Sequence, residues 1–203
     1  MSLGIANGKN RSGEQIHWIA EPRQLRALST PIRHDIVDRL TALGPLPVKE
    51  LARVLGRKPT AIYRHLITLE KLGLVEASRT EGARGRPAMI YRAAAPLMRI
   101  ARAPQVRSNR APMAKIANAM ARQAAREYAA AFKSDDWVVE GQKRNHGFFE
   151  LLTAPSTKRL AKINALLDEL SHLIWTPDPK PGRPIRVTWF MSPSLNTRNG
   201  ERR

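Results

Sequence analysis

Apolar residues recur at helical spacing early in the chain and outline one amphipathic helix. They are Leu25, Leu28, Ile32, Ile36, Val37 and Leu40. A stripe with this spacing buries one side of a helix and leaves the other side in water. Thr30 and Pro31 fit the first positions of the helix, and Gly44 with Pro45 fits its end. We expect this helix to support the elements that follow it.

Two shorter helices are predicted next, with a sharp turn between them. The apolar positions of the first are Val48, Leu51, Ala52 and Leu55, and those of the second are Ile62, Leu66 and Leu69. Gly56 can adopt the positive φ that a sharp stop requires, and Pro59 suits the first turn of a new helix. Gly73 is placed to end the second helix. The pattern predicts a helix-turn-helix.

The side of the second helix opposite its apolar stripe is polar. It carries Lys58, Thr60, Tyr63 and Arg64. A guanidinium and a phenol suit base edges in a DNA major groove, whereas a hydroxyl and an ammonium group suit phosphate oxygens or flanking bases. We therefore predict that Arg64 and Tyr63 read bases and that Thr60 and Lys58 fix phosphates or flanking bases.

A basic β-hairpin is predicted directly after the helix-turn-helix. The segments LVEASRT and AMIYRAA are rich in strand-forming residues, and the segment EGARGRP between them supplies glycine, proline and arginine. Arg84 and Arg86 at the tip are expected to contact the minor groove or phosphates. The alternative is an ordinary helical hairpin with a β-hairpin and solvated arginines, but the order of the elements and their charge favour DNA binding.

A connector and a long helix are predicted after the hairpin. The connector, residues 95–110, contains two prolines and four arginines, and either a solvated linker or phosphate contacts would fit it. The helix is predicted over PMAKIANAMARQAAREYAAAF, with a stripe of mostly small or flexible residues. The stripe is Met113, Ile116, Met120, Ala124, Tyr128 and Ala131. Two interpretations are open, a dimerisation helix and a helix of the chain's own core.

The last third of the chain alternates between strand and helix patterns. DWVVEG and IRVTWFMSP have strand composition, HGFFELL fits a strand or a short helix, and STKRLAKINALLDELSHLIW fits a helix capped by Ser156. These segments predict a small α+β module. Its aromatic residues fit a hydrophobic core better than a ligand cage. They are Trp137, Phe148, Phe149, Trp175, Trp189 and Phe190.

The fold class predicted from these elements is α+β, with a mainly α winged helix-turn-helix domain, a dimerisation helix and the small module. The expected order begins with a disordered tail at 1–15 and the DNA-binding domain at 16–95. The linker and dimerisation helix follow at 96–134, and the α+β module, for dimerisation or effector binding, at 135–193. A second disordered tail covers 194–203.

The charge of the chain indicates a polyanionic partner. Its 203 residues carry a formal net charge of +18, and the basic excess is present in both halves. Cysteine is absent, which excludes disulfides, thiolate metal sites and cysteine-ligated clusters. No apolar run approaches the length of a membrane span, and the first residues lack the apolar core of a signal peptide. We expect a cytoplasmic protein with no membrane partner.

No set of residues predicts catalysis. The five histidines are scattered, and the glycines of GARGRP lack the strand-loop-helix context of a phosphate-binding loop. Asp135 and Asp136 with His146 could form a hard-metal or acid–base set. Adjacent carboxylates in a strand point to opposite faces, however, which favours a solvated turn. We therefore expect no enzyme activity, no bound metal and no cofactor.

Three segments together resemble a known family. ALSTPIRHDIVDRL, VKELARVLGRKPTAIYRHLITLEKLGLV and RGRPAMIYR are similar to the winged helix-turn-helix regulators of the ArsR (arsenic-repressor-like) group. The resemblance covers about 25–94 and implies a homodimeric prokaryotic regulator. Such a regulator binds an operator of twofold character and leaves it, or tightens on it, when an effector binds.

Carried over by position, the resemblance implies that Thr60, Tyr63 and Arg64 are the recognition-helix positions and that Arg84 and Arg86 are the wing positions. The chain also departs from the family pattern. Pro47 replaces a hydroxylated N-cap, and the bulk of Tyr63 prevents transfer of a base preference. The cysteine-based sensing sites of well-known members are missing, so any effector does not use thiolates.

The sequence thus predicts a sequence-specific DNA-binding transcription regulator, a homodimeric repressor that responds to an unknown small-molecule effector. The expected partners are double-stranded DNA, a second copy of the chain and that effector. Two alternatives stay open at this point. One is a non-specific or architectural nucleic-acid-binding protein, and the other is a winged helix used as a protein-interaction module.

Overall fold

The computed structural model contains six α-helices, one short 3₁₀ helix at Arg107–Asn109 and six strands within the residues that it describes. These residues are 8–9, 15–81, 87–95, 97–100, 105–176, 178, 182 and 184–193. The helices are α1 Pro22–Leu28, α2 Pro31–Leu43, α3 Val48–Val54, α4 Pro59–Lys71, α5 Arg110–Ala131 and α6 Thr157–Trp175. The strands are β1 Gly8–Lys9, β2 Gln15–Trp18, β3 Leu46–Pro47, β4 Val75–Glu81, β5 Pro87–Ala93 and β6 Leu97–Arg99.

One hydrophobic core lies between α1, α2, α3, α4 and the two longest strands. Its fully buried side chains include Leu25, Ile36, Leu40, Leu51, Ile62, Leu66, Leu69, Leu74 and Val75. The apolar stripes predicted for the supporting helix and the helix-turn-helix all face this core, with Ile32 and Leu55 at its edge. Burial of these side chains fixes the orientation of α4 relative to the rest of the domain. The prediction of a single supporting helix is wrong at Ser29 and Thr30, where its stripe divides between α1 and α2, because Pro31 has no N–H with which to continue α1.

Two glycines end the helices of the helix-turn-helix as predicted. Gly56 follows α3 with φ 61°, and Gly73 follows α4 with φ 66°. After α4, the N–H of Leu74 donates to the carbonyl of Leu69 at 2.9 Å and the N–H of Gly73 to that of Glu70 at 2.9 Å. This pair of bonds satisfies carbonyls that the helix end leaves free, and it requires a left-handed residue that glycine adopts without strain.

A three-stranded antiparallel sheet closes the domain beside α4. Its strand order is β3-β5-β4. Leu46 pairs with Tyr91 across β3 and β5, while β4 and β5 pair from Val75 and Ala93 to Glu81 and Pro87. The hairpin predicted from the sequence is therefore present, with residues 82–86 between its strands.

A second sheet includes β1 and β6, two strands in segments that were predicted to be unstructured. Its strand order is β1-β2-β6, and β2 runs parallel to β6 with Trp18 opposite Arg99. The prediction of a disordered tail is wrong at Gly8–Lys9 and Gln15, and that of an irregular connector is wrong at β6. These strands are too short to show periodicity, and β6 pairs with a strand that lies far away in sequence.

The long helix α5 uses much of its apolar stripe within the chain. Ile116 is buried, and Met113 and Met120 pack against the core. Tyr128 stacks on the ring of His146 with centroids 4.1 Å apart. Contacts of this kind fit the interpretation of α5 as a core helix. Its role as a dimerisation helix stays a prediction.

The strands predicted for the small C-terminal module are not formed. The residues of DWVVEG, HGFFELL and IRVTWFMSP are irregular, and α6 is the one regular element among the described residues after 134. The helix prediction is confirmed, including its cap, because the N–H of Arg159 donates to Oγ of Ser156 at 3.3 Å. Without neighbouring strands to pair with, strand-forming composition alone does not produce a strand.

An ion network attaches the C-terminal segment to α2 and α5. The Arg186 guanidinium donates to Glu127 at 2.7 Å and to Asp38 at 3.0 Å, and Arg39 donates to Glu127 at 2.8 Å. Burial would lower the pKa of Arg186, but its hydrogen bonds to the two carboxylates outweigh burial and raise it. Burial would likewise raise the pKa of Glu127, and its hydrogen bonds lower it.

Candidate nucleic-acid interface

The helix α4 has one completely buried side and one exposed side. Ile62, Leu66 and Leu69 are each 0% exposed, so the helix cannot rotate about its axis without breaking the core. Lys58, Thr60, Tyr63 and Arg64 are exposed, as predicted. Among them, Tyr63 is an aromatic residue that leaves 45% of its surface in water. The fold thus holds these four side chains on its surface.

Thr60, Tyr63 and Arg64 are neighbours on one side of α4. Residues three and four apart in a helix lie next to each other, and the rise of 1.5 Å per residue makes the set about 6 Å long. Within the described part of the chain, no carboxylate pairs with the guanidinium of Arg64. A phenol, a hydroxyl and an unpaired cation on one short surface are suited to hydrogen bonding with bases and phosphates.

Sequence reasoning missed two further residues on this side of α4. Ile67 is 48% exposed, and Lys71 is exposed in the last turn. Ile67 lies four residues after Tyr63 and three after Arg64, and Lys71 lies seven after Arg64. Helical spacing could therefore have identified both. An exposed isoleucine can contact a thymine methyl group, and a lysine can contact a phosphate.

The first turn of α4 is favourable for an anion. Lys58 occupies the N-cap position, and the first turn contains no acidic residue. The N–H groups and the dipole at a helix start attract negative charge. Lys58 adds a full positive charge beside that turn, which supports its predicted contact with phosphate.

His65 lies at the edge of the interface and is half-buried. Its Nδ1 atom is buried and has no hydrogen-bond partner among the described residues. Burial lowers the pKa of His65, and the positive charges of Arg33 and Arg64 lower it further. The imidazole is therefore neutral at neutral pH and adds no charge to the interface.

The hairpin β4–β5 was predicted to supply the second part of the candidate interface. The predicted tip residues Arg84 and Arg86 lie outside the described residues. On the strands, Arg79 is exposed and was missed by sequence reasoning, whereas Arg92 forms an ion pair with Glu76. Arg79 thus adds a cation to the side of the hairpin.

Gln24 connects the interface to the supporting helices. The side chain is 6% exposed, and its Nε2 atom donates to the carbonyl of Leu72 at 2.9 Å. This bond joins α1 to the residue that follows α4. The end of α4 is therefore held by a contact with a residue 48 positions earlier, which periodicity could not indicate.

The described residues contain neither a cluster of metal ligands nor a membrane-spanning helix. Among them, no three histidine or carboxylate side chains converge as a metal ion would require. His146, which was considered with Asp135 and Asp136 as a metal or acid–base set, stacks on Tyr128. Within the described ranges, none of the helices is both long and apolar enough to cross a bilayer.

Comparison with known proteins gives two matches. The family model HVO_A0114 matches residues 28–94, a range that includes α2, α3, α4 and the hairpin strands. The HTH-type transcriptional regulator NmtR of Mycobacterium tuberculosis (strain ATCC 25618 / H37Rv) is 37% identical over 82 residues. That alignment covers 39% of this chain and 67% of NmtR. The similarity to NmtR extends over two thirds of that protein, and the second helix of the helix-turn-helix faces outward in this chain. The chain therefore belongs to the HTH-type transcriptional regulators.

Proposed function

We propose that this regulator binds a specific operator in double-stranded DNA and represses transcription. In this proposal α4 enters the major groove, where Tyr63 and Arg64 read base edges. Thr60 and Lys58 hold phosphates or flanking bases. The observation that carries the proposal is the division of α4 into a fully buried apolar side and an exposed side, where the guanidinium of Arg64 pairs with no carboxylate among the described residues. Such a helix presents its polar side chains at a fixed angle, which groove reading requires.

The wing is proposed to hold the DNA next to the site that α4 reads. Arg84 and Arg86 at its tip contact the minor groove or the phosphates, and Arg79 on β4 adds a cation on its side. Contacts of this class supply affinity and fix the register of the protein on the duplex, while the bases read by α4 supply the specificity.

The proposed active form is a homodimer of the ArsR-like group. Two copies related by a twofold axis would present their α4 helices about 34 Å apart, one turn of DNA. The operator would then be an inverted repeat. The segment quoted above, with RGRPAMIYR after the recognition helix, supports the assignment to this group.

Regulation is proposed to come from a small molecule that needs no thiolate, since the chain has no cysteine. No catalytic activity and no resident cofactor are part of the proposal. Because the operator is chromosomal DNA, the proposed location is the cytoplasm of a prokaryotic cell.

DNase footprinting of the purified chain on the DNA upstream of its own gene tests this function. Excess random DNA serves as competitor, and RNA of equal length is a second competitor. We expect a protected inverted repeat that persists in both. Protection that random DNA abolishes would instead support non-specific nucleic-acid binding, which the net charge of +18 favours as the second candidate.

A further inference from the structure

The helix α6 carries a broad apolar stripe that the rest of the chain leaves largely uncovered. The stripe consists of Leu160, Ile163, Leu166, Leu167, Leu170, Leu173 and Ile174. Five of these residues, all except Ile163 and Leu167, are between 39% and 73% exposed. Within the described residues, α6 packs closely against no other helix or strand. Monomeric proteins rarely leave such a patch in water.

The spacing of the stripe is suited to pairing with another helix. Ile163, Leu166, Leu170 and Leu173 follow one another at intervals of three, four and three residues. This interval is the repeat with which helices pack side by side through interlocking side chains. The partner of this stripe is therefore expected to be another helix with the same repeat.

The charges of α6 are divided between its two ends. Lys158, Arg159 and Lys162 lie in its first two turns, and Asp168 and Glu169 lie in its second half. All five side chains are exposed. Two copies of α6 in antiparallel orientation bring the basic end of each beside the acidic residues of the other. Parallel orientation would bring like charges together, which is unfavourable.

A short apolar segment before α6 is exposed in the same way. Phe148, Phe149, Leu151 and Leu152 are each between 77% and 87% exposed. They lie within ten residues of the start of α6. A partner that covers α6 is thus adjacent to further apolar surface, which enlarges the area that association can bury.

We propose that α6 pairs antiparallel with α6 of a second copy of this chain. The helix carries the apolar repeat that pairing with another helix needs, and its order of basic and acidic residues favours the antiparallel orientation. This pairing would be the contact surface of the homodimer in the proposed function. Its biological role rests on that proposed function. It lies outside the family match at 28–94. Self-association through α6 is measured without DNA, so it is tested separately from operator binding.

Sedimentation equilibrium of the full chain in DNA-free buffer tests the pairing. The variant Leu166→Gln/Leu173→Gln removes two exposed leucines from the stripe of each copy. The control Ala165→Gln/His172→Gln changes the neighbouring exposed positions on the other side of the same turns. We expect a dimer for the unchanged chain and the control, and a dissociation constant raised at least about 100-fold for the leucine variant. A monomeric unchanged chain, or equal effects of both variants, overturns the proposal.

Disulfide formation tests the orientation, because the chain contains no cysteine of its own. In an antiparallel pair centred near Leu166, Leu166→Cys lies beside its copy. Leu173→Cys is then about 21 Å from its copy, at 1.5 Å per residue, which is beyond disulfide reach. We expect oxidation to link the first variant and not the second. Equal linkage of both would establish a parallel pair and overturn the proposal.

Operator footprinting of the Leu166→Gln/Leu173→Gln variant separates this inference from the proposed function. Loss of the dimer together with weakened operator protection supports both. A dimer that protects no operator leaves the α6 pairing in place and refutes the proposed function. Full operator protection by a monomeric unchanged chain refutes the pairing alone.

Discussion

Arg64 is the residue on which we expect sequence discrimination to depend most. Its guanidinium is exposed on the outward side of α4 and pairs with no carboxylate in the described part of the chain. The substitution Arg64→Ala should reduce the free energy of binding by about 1–3 kcal/mol on the preferred operator. The loss should be smaller on operators altered at one base pair. Binding titrations on a set of single-substituted operators measure this difference.

Arg122→Ala, which removes the same charge from the exposed side of α5, is the control for Arg64→Ala. It should leave the ranking of the operators unchanged. A uniform loss on every operator with Arg64→Ala would instead make Arg64 a phosphate contact.

His65 should make the stability of the domain depend on pH. Burial, and then the positive charges of Arg33 and Arg64, lower its pKa below the ordinary value of 6.5 in the folded chain. As the pH falls through 6.5, the unfolded chain takes up the proton first, so stability decreases with falling pH and is fully present above that value. Urea unfolding at pH 7.5 and 5.5 should show a smaller difference for His65→Gln than for the unchanged chain. An identical difference would contradict the shift.

At the scale of elements, the end of α4 depends on one left-handed residue. Gly73 has φ 66°, and a Cβ atom added there would meet nothing within 4 Å. The expected cost of Gly73→Ala is therefore purely conformational, about 1–2 kcal/mol of unfolding free energy. Gly147→Ala is the matched control, since that glycine is equally open and has no left-handed φ. We expect it to be neutral or slightly stabilising. Urea denaturation compares the two, and equal effects would disprove the argument.

The wing is the element in which charge should matter more than shape. The double variant Arg84→Ala/Arg86→Ala removes two proposed phosphate contacts. It should weaken binding to all duplexes and reduce the slope of log affinity against log salt by about 1.8. Lys115→Ala/Lys133→Ala removes the same charge at exposed positions in and after α5 and should leave the slope nearly unchanged. An unaltered slope for the arginine variant would remove the wing from the interface.

At the scale of the whole molecule, the Arg186 network connects the C-terminal segment to the DNA-binding domain. In Glu127→Gln, Arg186 and Arg39 lose a shared carboxylate in a half-buried setting. The expected cost is about 1–3 kcal/mol of stability, with faster proteolysis near Arg186. The lowered pKa of Glu127 means that this contribution is present above its ordinary value of 4.5 and is lost as the pH falls through the folded value.

Denaturation and limited proteolysis together measure the effect of Glu127→Gln. Glu140→Gln, at an exposed carboxylate, is the control and should change neither result. Destabilisation without faster cleavage at 184–193 would show that the network supports the helices but does not retain the segment.

Prediction from the sequence succeeded where an element is specified by its own residues. The apolar spacing of Ile62, Leu66 and Leu69 placed the buried side of α4, and therefore the exposed position of Arg64. The cap at Ser156 was also predicted correctly. Prediction from the sequence failed for the strands at 136–141 and 185–193. Their apolar composition is compatible with a strand, but no partner strands are present among the described residues.

The sequence by itself determined the helices of the domain, the glycine-ended turns and the chemistry offered by α4. These features follow from periodicities and from backbone preferences that act over a few residues. The tertiary structure decided the pairing of β2 with β6, the bond from Gln24 to Leu72 and the joining of Arg186 to Glu127. Each of these joins residues 48 or more positions apart in the chain. Their formation depends on where packing of the core brings distant segments, which local patterns do not encode.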